Sequence, residues 1–252
     1  MTIDRPAQAQ IPQLRALWKE AFGDTDAFLD IFFHRAYAPE RCRCITRDGA
    51  VVSALYWFEA TCRQQRFAYL YAVATAQDCR GQGLFTALLT DVKQVLRQEG
   101  YEGILLVPET ESLGRMYEKL GFTCCTYVET MTVSAGETPV TMEEIGAETF
   151  AALRREMLPP GGVLQEGAVL PFLASQYHFW RGTGWLATGQ VYDGKLVCQE
   201  FLGDRRAMSG LLRALGVPVG TFRTVGETVP FAYLLPLRDD CERPEYFALA
   251  LN

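Results

Sequence analysis

The segment that most constrains the fold is Asp78–Leu89, which reads DCRGQGLFTALL. Residues 66–75 before it predict a strand, and the residues from Leu84 onward predict an amphipathic helix. A strand that turns through Arg-Gly-Gln-Gly directly into a helix leaves free backbone N–H groups at the helix N-terminus. Glycine lets a ligand approach the backbone, and Arg80 adds a positive charge that suits phosphate oxygens. The segment therefore predicts an α/β chain with a pyrophosphate site; the alternative is a purely structural glycine turn.

The composition excludes several classes of function. The net charge is −6, with 30 acidic against 24 basic residues and no Lys/Arg run, so a nucleic-acid surface is not expected. The sequence shows no leader and no apolar stretch of membrane-spanning length, which predicts a cytoplasmic protein without a membrane partner. Eight cysteines and two histidines lack the spacing of a zinc site, so the thiols are expected to be reduced and no metal is expected. A small-molecule substrate is therefore favoured, and a homodimer stays open.

The two halves of the chain predict a degenerate internal duplication. Residues 28–34 (FLDIFFH) match residues 172–178 (FLASQYH), and Gly83–Leu88 matches Gly210–Leu215 (GLLRAL). Between them, the strand pair around Asp48-Gly49 matches the pair around Asp193-Gly194, and the second copy is expected to lack the strand before its helix. The prediction is a first domain at 1–135, a linker at 136–141 and a second, degenerate domain at 142–252.

The duplication also predicts which half carries the chemistry. Ala207, Met208 and Ser209 stand where the first copy has Arg80, Gly81 and Gln82. Side chains at these positions block a close approach to the backbone, and the arginine is lost. Catalysis is therefore expected in the first half, with the second half forming a wall of the acceptor pocket or packing its aromatic residues into a core. Those aromatic residues are Tyr177, Phe179, Trp180 and Trp185.

Two motifs resemble the GNAT superfamily of acyl-CoA-dependent N-acetyltransferases. Arg80–Phe85 is similar to that family's Gln/Arg-x-x-Gly-x-Gly/Ala pyrophosphate loop, with Phe85 in place of a small residue. Ser112–Phe122 (SLGRMYEKLGF) is similar to its A-x-x-L/M-Y-x-K-x-G-F helix. The resemblance covers about residues 1–135. It implies a mixed, mostly antiparallel sheet flanked by helices, followed by a smaller degenerate GNAT-like domain, and acetyl-CoA as co-substrate.

The resemblance also implies roles for individual residues. The strand end would offer backbone groups to the pantetheine arm, and the loop would hold the pyrophosphate. Tyr117 would protonate the departing CoA thiolate, while its alternative is a core aromatic at helical spacing from Leu113 and Leu120. The residues assigned to the pantetheine arm are Val73, Ala74 and Thr75, and those assigned to the pyrophosphate are Arg80, Gly81, Gln82, Gly83, Leu84 and Phe85.

The base that deprotonates the amine has several candidates. The family often uses a glutamate on the strand before the loop, but this strand offers only tyrosines. Glu109 is the first candidate; the others are Glu59, a water relayed by Tyr71, and the terminal carboxylate of Asn252. The two histidines, His34 and His178, are assigned to packing.

The predicted function is an N-acetyltransferase that moves an acetyl group from acetyl-CoA to a primary amine of a small molecule or a peptide N-terminus. Transfer is predicted to occur by direct attack in a ternary complex. One alternative is a non-catalytic acyl-CoA-binding or sensing protein, in which Tyr117 is only a core residue. The other is an unrelated α/β domain with a fortuitous glycine turn.

Overall fold

The computed structural model describes residues 1–251, which contain seven α-helices and fourteen β-strands. The helices are α1 (Ile11–Phe22), α2 (Asp26–Arg35), α3 (Leu84–Gln98), α4 (Glu111–Lys119), α5 (Ala147–Met157), α6 (Leu170–Gln176) and α7 (Ala207–Leu215). The strands are β1 (Thr2–Asp4), β2 (Cys42–Arg47), β3 (Ala50–Cys62), β4 (Gln65–Thr75), β5 (Gly103–Leu106), β6 (Thr123–Cys124), β7 (Tyr127–Ser134), β8 (Glu143–Glu144), β9 (His178–Gly182), β10 (Trp185–Tyr192), β11 (Lys195–Gly203), β12 (Val219–Val225), β13 (Val229–Pro230) and β14 (Tyr233–Pro236).

The first two helices show how closely the sequence sets local structure. Gly23, with φ of +74°, ends α1 in the left-handed conformation that glycine adopts without strain. The hydroxyl oxygen of Thr25 accepts a hydrogen bond from the Phe28 N–H at 3.2 Å and caps α2. Trp18 of α1 then packs on Phe32 of α2, with ring centroids 4.5 Å apart. These contacts lay both helices on the first sheet.

The first sheet has seven strands in the order β1-β2-β3-β4-β5-β14-β6. Strands β1 to β4 form antiparallel neighbours, whereas β4 and β5 run parallel because α3 connects them. The fold class predicted from the sequence, a mixed and mostly antiparallel sheet flanked by helices, is confirmed.

The second sheet repeats this plan in the order β8-β9-β10-β11-β12-β7-β13. Here β11 and β12 are the parallel pair, and α7 connects them. The tandem arrangement is therefore confirmed, but the expectation that the second copy lacks a strand is wrong. His178–Gly182 forms β9, and a turn at Thr183-Gly184 joins it to β10. The Asp193-Gly194 turn consequently corresponds to the β3–β4 turn of the first half, not to Asp48-Gly49.

The sixth strand of each sheet comes from the other half of the sequence. β7 follows the first repeat along the chain but pairs with β12, from Val128↔Val225 to Ser134↔Val219. β14 follows the second repeat but lies in the first sheet. Accordingly, one compact unit comprises residues 1–106, 115–122 and 234–242, and the other comprises 107–114, 123–233 and 243–252. These units differ from the predicted division at 135 and 142 because each repeat supplies one strand to the other's sheet.

The second unit contains a buried ion pair as well as an apolar core. Arg154 and Glu200 have side chains only 2% and 1% exposed, and the Arg154 Nη2 donates to Glu200 Oε1 at 3.0 Å. The Nη1 of the same guanidinium donates to the Val163 carbonyl oxygen at 3.0 Å. Burial of two charges is tolerated only with such complete pairing. The pair therefore ties α5 to β11.

Residues 1–251 contain no membrane-spanning helix, no disulfide and no cluster of metal-binding side chains. No helix there has both the length and the apolar character needed to cross a bilayer. All eight cysteines are free thiols. No group of three or more His, Cys, Asp or Glu side chains among these residues could hold a metal ion.

Candidate active site

The turn between β4 and α3 has the geometry of an anion-binding loop. Gly81 and Gly83 have φ of +73° and +74°, in the left-handed region that residues with a Cβ rarely adopt. No atom lies within 4 Å of a Cβ built on either glycine, so the backbone is open on that side. Gly83 is the N-cap of α3 and supplies no side-chain cap, which leaves N–H groups of the first helical turn available to a ligand.

Phe85, the residue that departs from the family motif, lies in the helix rather than in the turn. Gly81 and Gly83 both adopt the left-handed conformation, and Phe85 follows them in the first turn of α3. The role of Phe85 at the pyrophosphate stays a prediction.

Hydrogen bonds from side chains fix the shape of this loop. The Arg80 Nε donates to the Thr75 carbonyl oxygen at 3.1 Å, and the Gln82 Nε2 donates to the Asp78 carbonyl oxygen at 3.1 Å. The Gln77 N–H donates to Glu20 Oε1 at 2.6 Å, which ties the start of the loop to α1. The loop is thus held in one conformation by its neighbours before any ligand arrives.

The end of β4 that leads into the loop is paired on one side only. It pairs with β5 through Phe67–Tyr69 alone, whereas Ala74 and Thr75 pair with Ala54 and Ser53 of β3. Within residues 1–251, no strand covers Val73–Thr75 on the β5 side. The backbone there is available to an extended ligand in the way that a sheet edge accepts a peptide.

A β-bulge lies at the start of this uncovered stretch. Ala72 has φ of +49°, and the β3–β4 register shifts between Ala54 and Tyr56. A non-glycine residue in the left-handed region costs about 1–2 kcal/mol and persists where the surrounding structure enforces it. The sequence does not indicate this bulge, because YLYAVAT is typical of an uninterrupted strand and alanine gives no signal of a positive φ.

Tyr117 lies next to the first turn of α3. Its ring is 5.9 Å from the Phe85 ring and 5.6 Å from the Phe122 ring, and the residue is 9% exposed. Burial raises the pKa of Tyr117 to about 12, so its hydroxyl is protonated throughout the neutral range. The ring of Tyr117 therefore packs on the helical turn that follows the glycine loop, and its role as an acid stays a prediction.

The candidate bases differ in their surroundings. Glu59 accepts a hydrogen bond from Arg66 at 2.8 Å, and this guanidinium lowers the pKa of the Glu59 carboxyl. A carboxylate held in this way is a poorer proton acceptor. Glu109 is exposed and lies in the 107–114 segment, which clusters with the second compact unit. Asn252 lies outside the described residues.

The remaining candidates belong to other environments. Tyr71 packs in an aromatic cluster, with its ring 5.6 Å from Trp18 and 5.5 Å from Phe58. His34 and His178 are both exposed, so neither lies in a core as a packing role would suggest, although the His178 ring stacks on Trp180 at 5.7 Å. The Nδ1 of His178 lies 2.7 Å from an oxygen of Glu144.

In the second half, the turn before the connecting helix has no comparable opening. Ala207 begins α7, so the counterpart of the glycine loop is residues 204–206 rather than Ala207, Met208 and Ser209. Arg205 pairs with Glu129 at 2.7 Å, and Arg206 pairs with Asp204 at 2.8 Å. These arginines are neutralised by carboxylates.

The aromatic residues proposed for the acceptor pocket are between 3% and 6% exposed, which favours the alternative that they pack in a core: Tyr177, Phe179, Trp180 and Trp185.

Comparisons with known proteins agree with this geometry. The family model described as "Acetyltransferase (GNAT) domain" matches residues 2–125. Among curated proteins, no match to the chain was found.

Solved structures share the fold over almost the whole chain. A GCN5-related N-acetyltransferase from Anabaena variabilis is 16% identical, with a TM-score of 0.73 over 94% of this chain and 73% of that one. The corresponding protein from Kribbella flavida is 15% identical, with a TM-score of 0.71 over 94% and 72%. A putative acetyltransferase from Pyrococcus horikoshii is 14% identical, with a TM-score of 0.61 over 99% and 94%. At these identities the likeness concerns the fold alone, while the family model leads to one conclusion: residues 2–125 form a GNAT acetyltransferase domain, in a chain that has two GNAT-like sheets in tandem.

Proposed function

We propose that this protein transfers an acetyl group from acetyl-CoA to a primary amine of a small molecule or a peptide N-terminus, by direct attack in a ternary complex. The observation that carries the proposal is a continuous path on the first unit. The uncovered backbone of Val73–Thr75 leads into the glycine loop, and Tyr117 lies beside the helix that the loop begins.

The residues along this path fit the parts of acetyl-CoA. Val73, Ala74 and Thr75 would pair with the amides of the pantetheine arm. The pyrophosphate would lie against Arg80, Gly81, Gln82 and Gly83, and against the first turn of α3 at Leu84 and Phe85. The empty space around both glycines supports this fit, since a Cβ at either position would stand where a phosphate must approach.

The chemistry assigned to these groups is a direct acyl transfer. The lone pair of the neutral amine attacks the thioester carbonyl carbon, and a C–N bond forms as the C–S bond breaks. Tyr117 gives its O–H proton to the departing thiolate; burial keeps the phenol protonated at neutral pH, so the proton is present when the thiolate leaves. The attack leaves a positive charge on the amine nitrogen, which then loses one proton to a base. The tyrosine is reprotonated, so protons balance over one turnover.

Glu109 remains the proposed base, since its side chain is exposed at the end of β5 and Glu59 is engaged by Arg66. A Glu109→Gln variant should lower kcat/KM throughout its pH profile without weakening acetyl-CoA binding. Glu118→Gln, an equally exposed glutamate on α4, is the matched control. Equal profiles for Glu109→Gln and wild type would remove Glu109 from the mechanism.

A Tyr117→Phe variant tests the central claim. We expect kcat to fall by about 100-fold, the scale of a lost general acid, while the dissociation constant for acetyl-CoA stays unchanged. Tyr101→Phe removes a hydroxyl from another buried tyrosine, 2% exposed, and should leave kcat unchanged. Thiol release would be measured with a panel of primary amines, and binding by thermal shift.

Each result separates the alternatives. Full turnover by Tyr117→Phe would remove the proposed acid. Binding of acetyl-CoA by the wild type without turnover on any amine would favour the acyl-CoA-binding protein, which the family membership does not favour. No stabilisation of the wild type by acetyl-CoA would exclude both functions.

A further inference from the structure

A guanidinium from outside the glycine loop reaches the loop itself. Arg47 is the last residue of β2, and its Nη1 donates to Gln82 Oε1 at 2.9 Å. Gln82 in turn donates to the Asp78 carbonyl oxygen, so Arg47 is joined to both ends of the turn. Nothing in the spacing around the loop indicates this residue, because it lies more than thirty positions earlier in the sequence.

The charge of Arg47 is not compensated by a carboxylate. Among residues 1–251, no Asp or Glu oxygen lies within 4.0 Å of its guanidinium, although many exposed arginines of this chain are paired in that way. One of its five N–H donors is used by Gln82, which leaves donors for another acceptor. A partly exposed cation with free donors beside open backbone N–H groups suits an anionic ligand.

Carboxylates at the loop give a reason for such a residue. Asp78 lies two residues before Arg80 in the turn, and Glu20 of α1 accepts a hydrogen bond from the Gln77 N–H at 2.6 Å. These two carboxylates offset the charge of Arg80, so an anionic ligand at the loop needs a further cation. Arg47 supplies that positive charge from a neighbouring strand.

We infer that Arg47 is a phosphate-binding residue of the acyl-CoA site, keeping one N–H on Gln82 and donating another to a phosphate oxygen. The inference rests on the proposed function. The phosphate could belong to the pyrophosphate or to the 3′-phosphate of the ribose, and the two are distinguished by comparing acetyl-CoA with acetyl-dephospho-CoA, which lacks the 3′-phosphate.

The test measures dissociation constants for both ligands with the full chain. Arg47→Gln should weaken acetyl-CoA binding by about tenfold and raise its KM, while kcat at saturating acetyl-CoA stays within about twofold of wild type. If the contact is to the 3′-phosphate, Arg47→Gln and wild type bind acetyl-dephospho-CoA equally well; if it is to the pyrophosphate, Arg47→Gln loses affinity for both ligands. Arg213→Gln removes the same charge from the exposed face of α7 and should change neither constant.

A second variant separates phosphate binding from a structural role. Arg47→Lys keeps the positive charge but not the fixed geometry of the guanidinium, so it should weaken binding less than Arg47→Gln does. Equal losses in the two variants would show that Arg47 only shapes the loop and would overturn the inference. Wild-type affinity of Arg47→Gln for both ligands would also overturn it, whereas failure of the wild type to bind either ligand would overturn the proposed function itself.

Discussion

Replacing Gly83 by alanine separates the folding role of the loop from its binding role. Alanine at φ of +74° costs about 1–2 kcal/mol, and no contact adds to this, because no atom lies within 4 Å of the new Cβ. For a chain of this size, the melting temperature of the ligand-free protein should fall by about 2–8 °C. In the complex, the Cβ would keep a phosphate from the N–H groups of α3. Charged hydrogen bonds of this kind are worth about 1.5–3 kcal/mol each, so acetyl-CoA affinity should fall by about 10- to 100-fold.

Gly216→Ala provides the matched control. Gly216 ends α7 with φ of +70°, and it also has no atom within 4 Å of a built Cβ. Both variants should therefore lose the same stability in thermal melts, while only Gly83→Ala loses affinity in an acetyl-CoA titration. Wild-type affinity in Gly83→Ala, or an equal loss in Gly216→Ala, would refute the assignment of the loop to a phosphate.

Three further predictions concern stability. Glu200→Gln should lower the free energy of unfolding in urea titrations by about 3–5 kcal/mol, because it leaves the buried Arg154 without its carboxylate. The control is Asp204→Asn at the exposed pair with Arg206, which should have no measurable effect. Burial raises the pKa of Tyr117 from 10 to about 12, so its contribution to the free energy of unfolding is complete below about pH 10 and is lost as the pH rises toward 12. Between pH 9 and pH 11 the free energy of unfolding of Tyr117→Phe should therefore fall by about 1–2 kcal/mol less than that of the wild type. Equal falls in the two proteins would contradict the raised pKa. Residues 1–135 expressed alone should fail to give a cooperative thermal melt, because β14 is missing from the first sheet. A chain in which residues 231–242 follow residue 126 through a flexible linker should melt cooperatively again. A cooperative melt of residues 1–135 would contradict the strand exchange.

The sequence predicted the parts of the site that depend on local backbone chemistry. The two glycines at positive φ, the helix that begins after Gly83 and the tyrosine on α4 all follow from residue types at short spacing. Arg47 and the Glu20 contact could not be predicted in this way, because they depend on how β2 and α1 lie against the loop. Long-range pairing determines such contacts, and a single sequence carries no direct signal of it.

The strand exchange was also hidden from the sequence, for a different reason. β7 has the alternating pattern of any half-buried strand, and that pattern does not specify which sheet the strand joins. The faint repeat suggested two successive domains, because neighbouring elements in sequence are usually neighbours in space. Here β14 lies beside β5 although the whole second repeat separates them along the chain.

This arrangement affects how the protein is made on the ribosome. Domains usually fold one after another as they emerge, the N-terminal one first, at about 5–20 residues per second. The first sheet of this chain cannot close until Tyr233–Pro236 has been synthesised, about a hundred residues after the end of β7. For about 5–20 seconds the nascent chain therefore exposes the edge of β5, while β7 waits for β12 to emerge. During that interval the unpaired edge of β5 is a site at which non-native strands can pair.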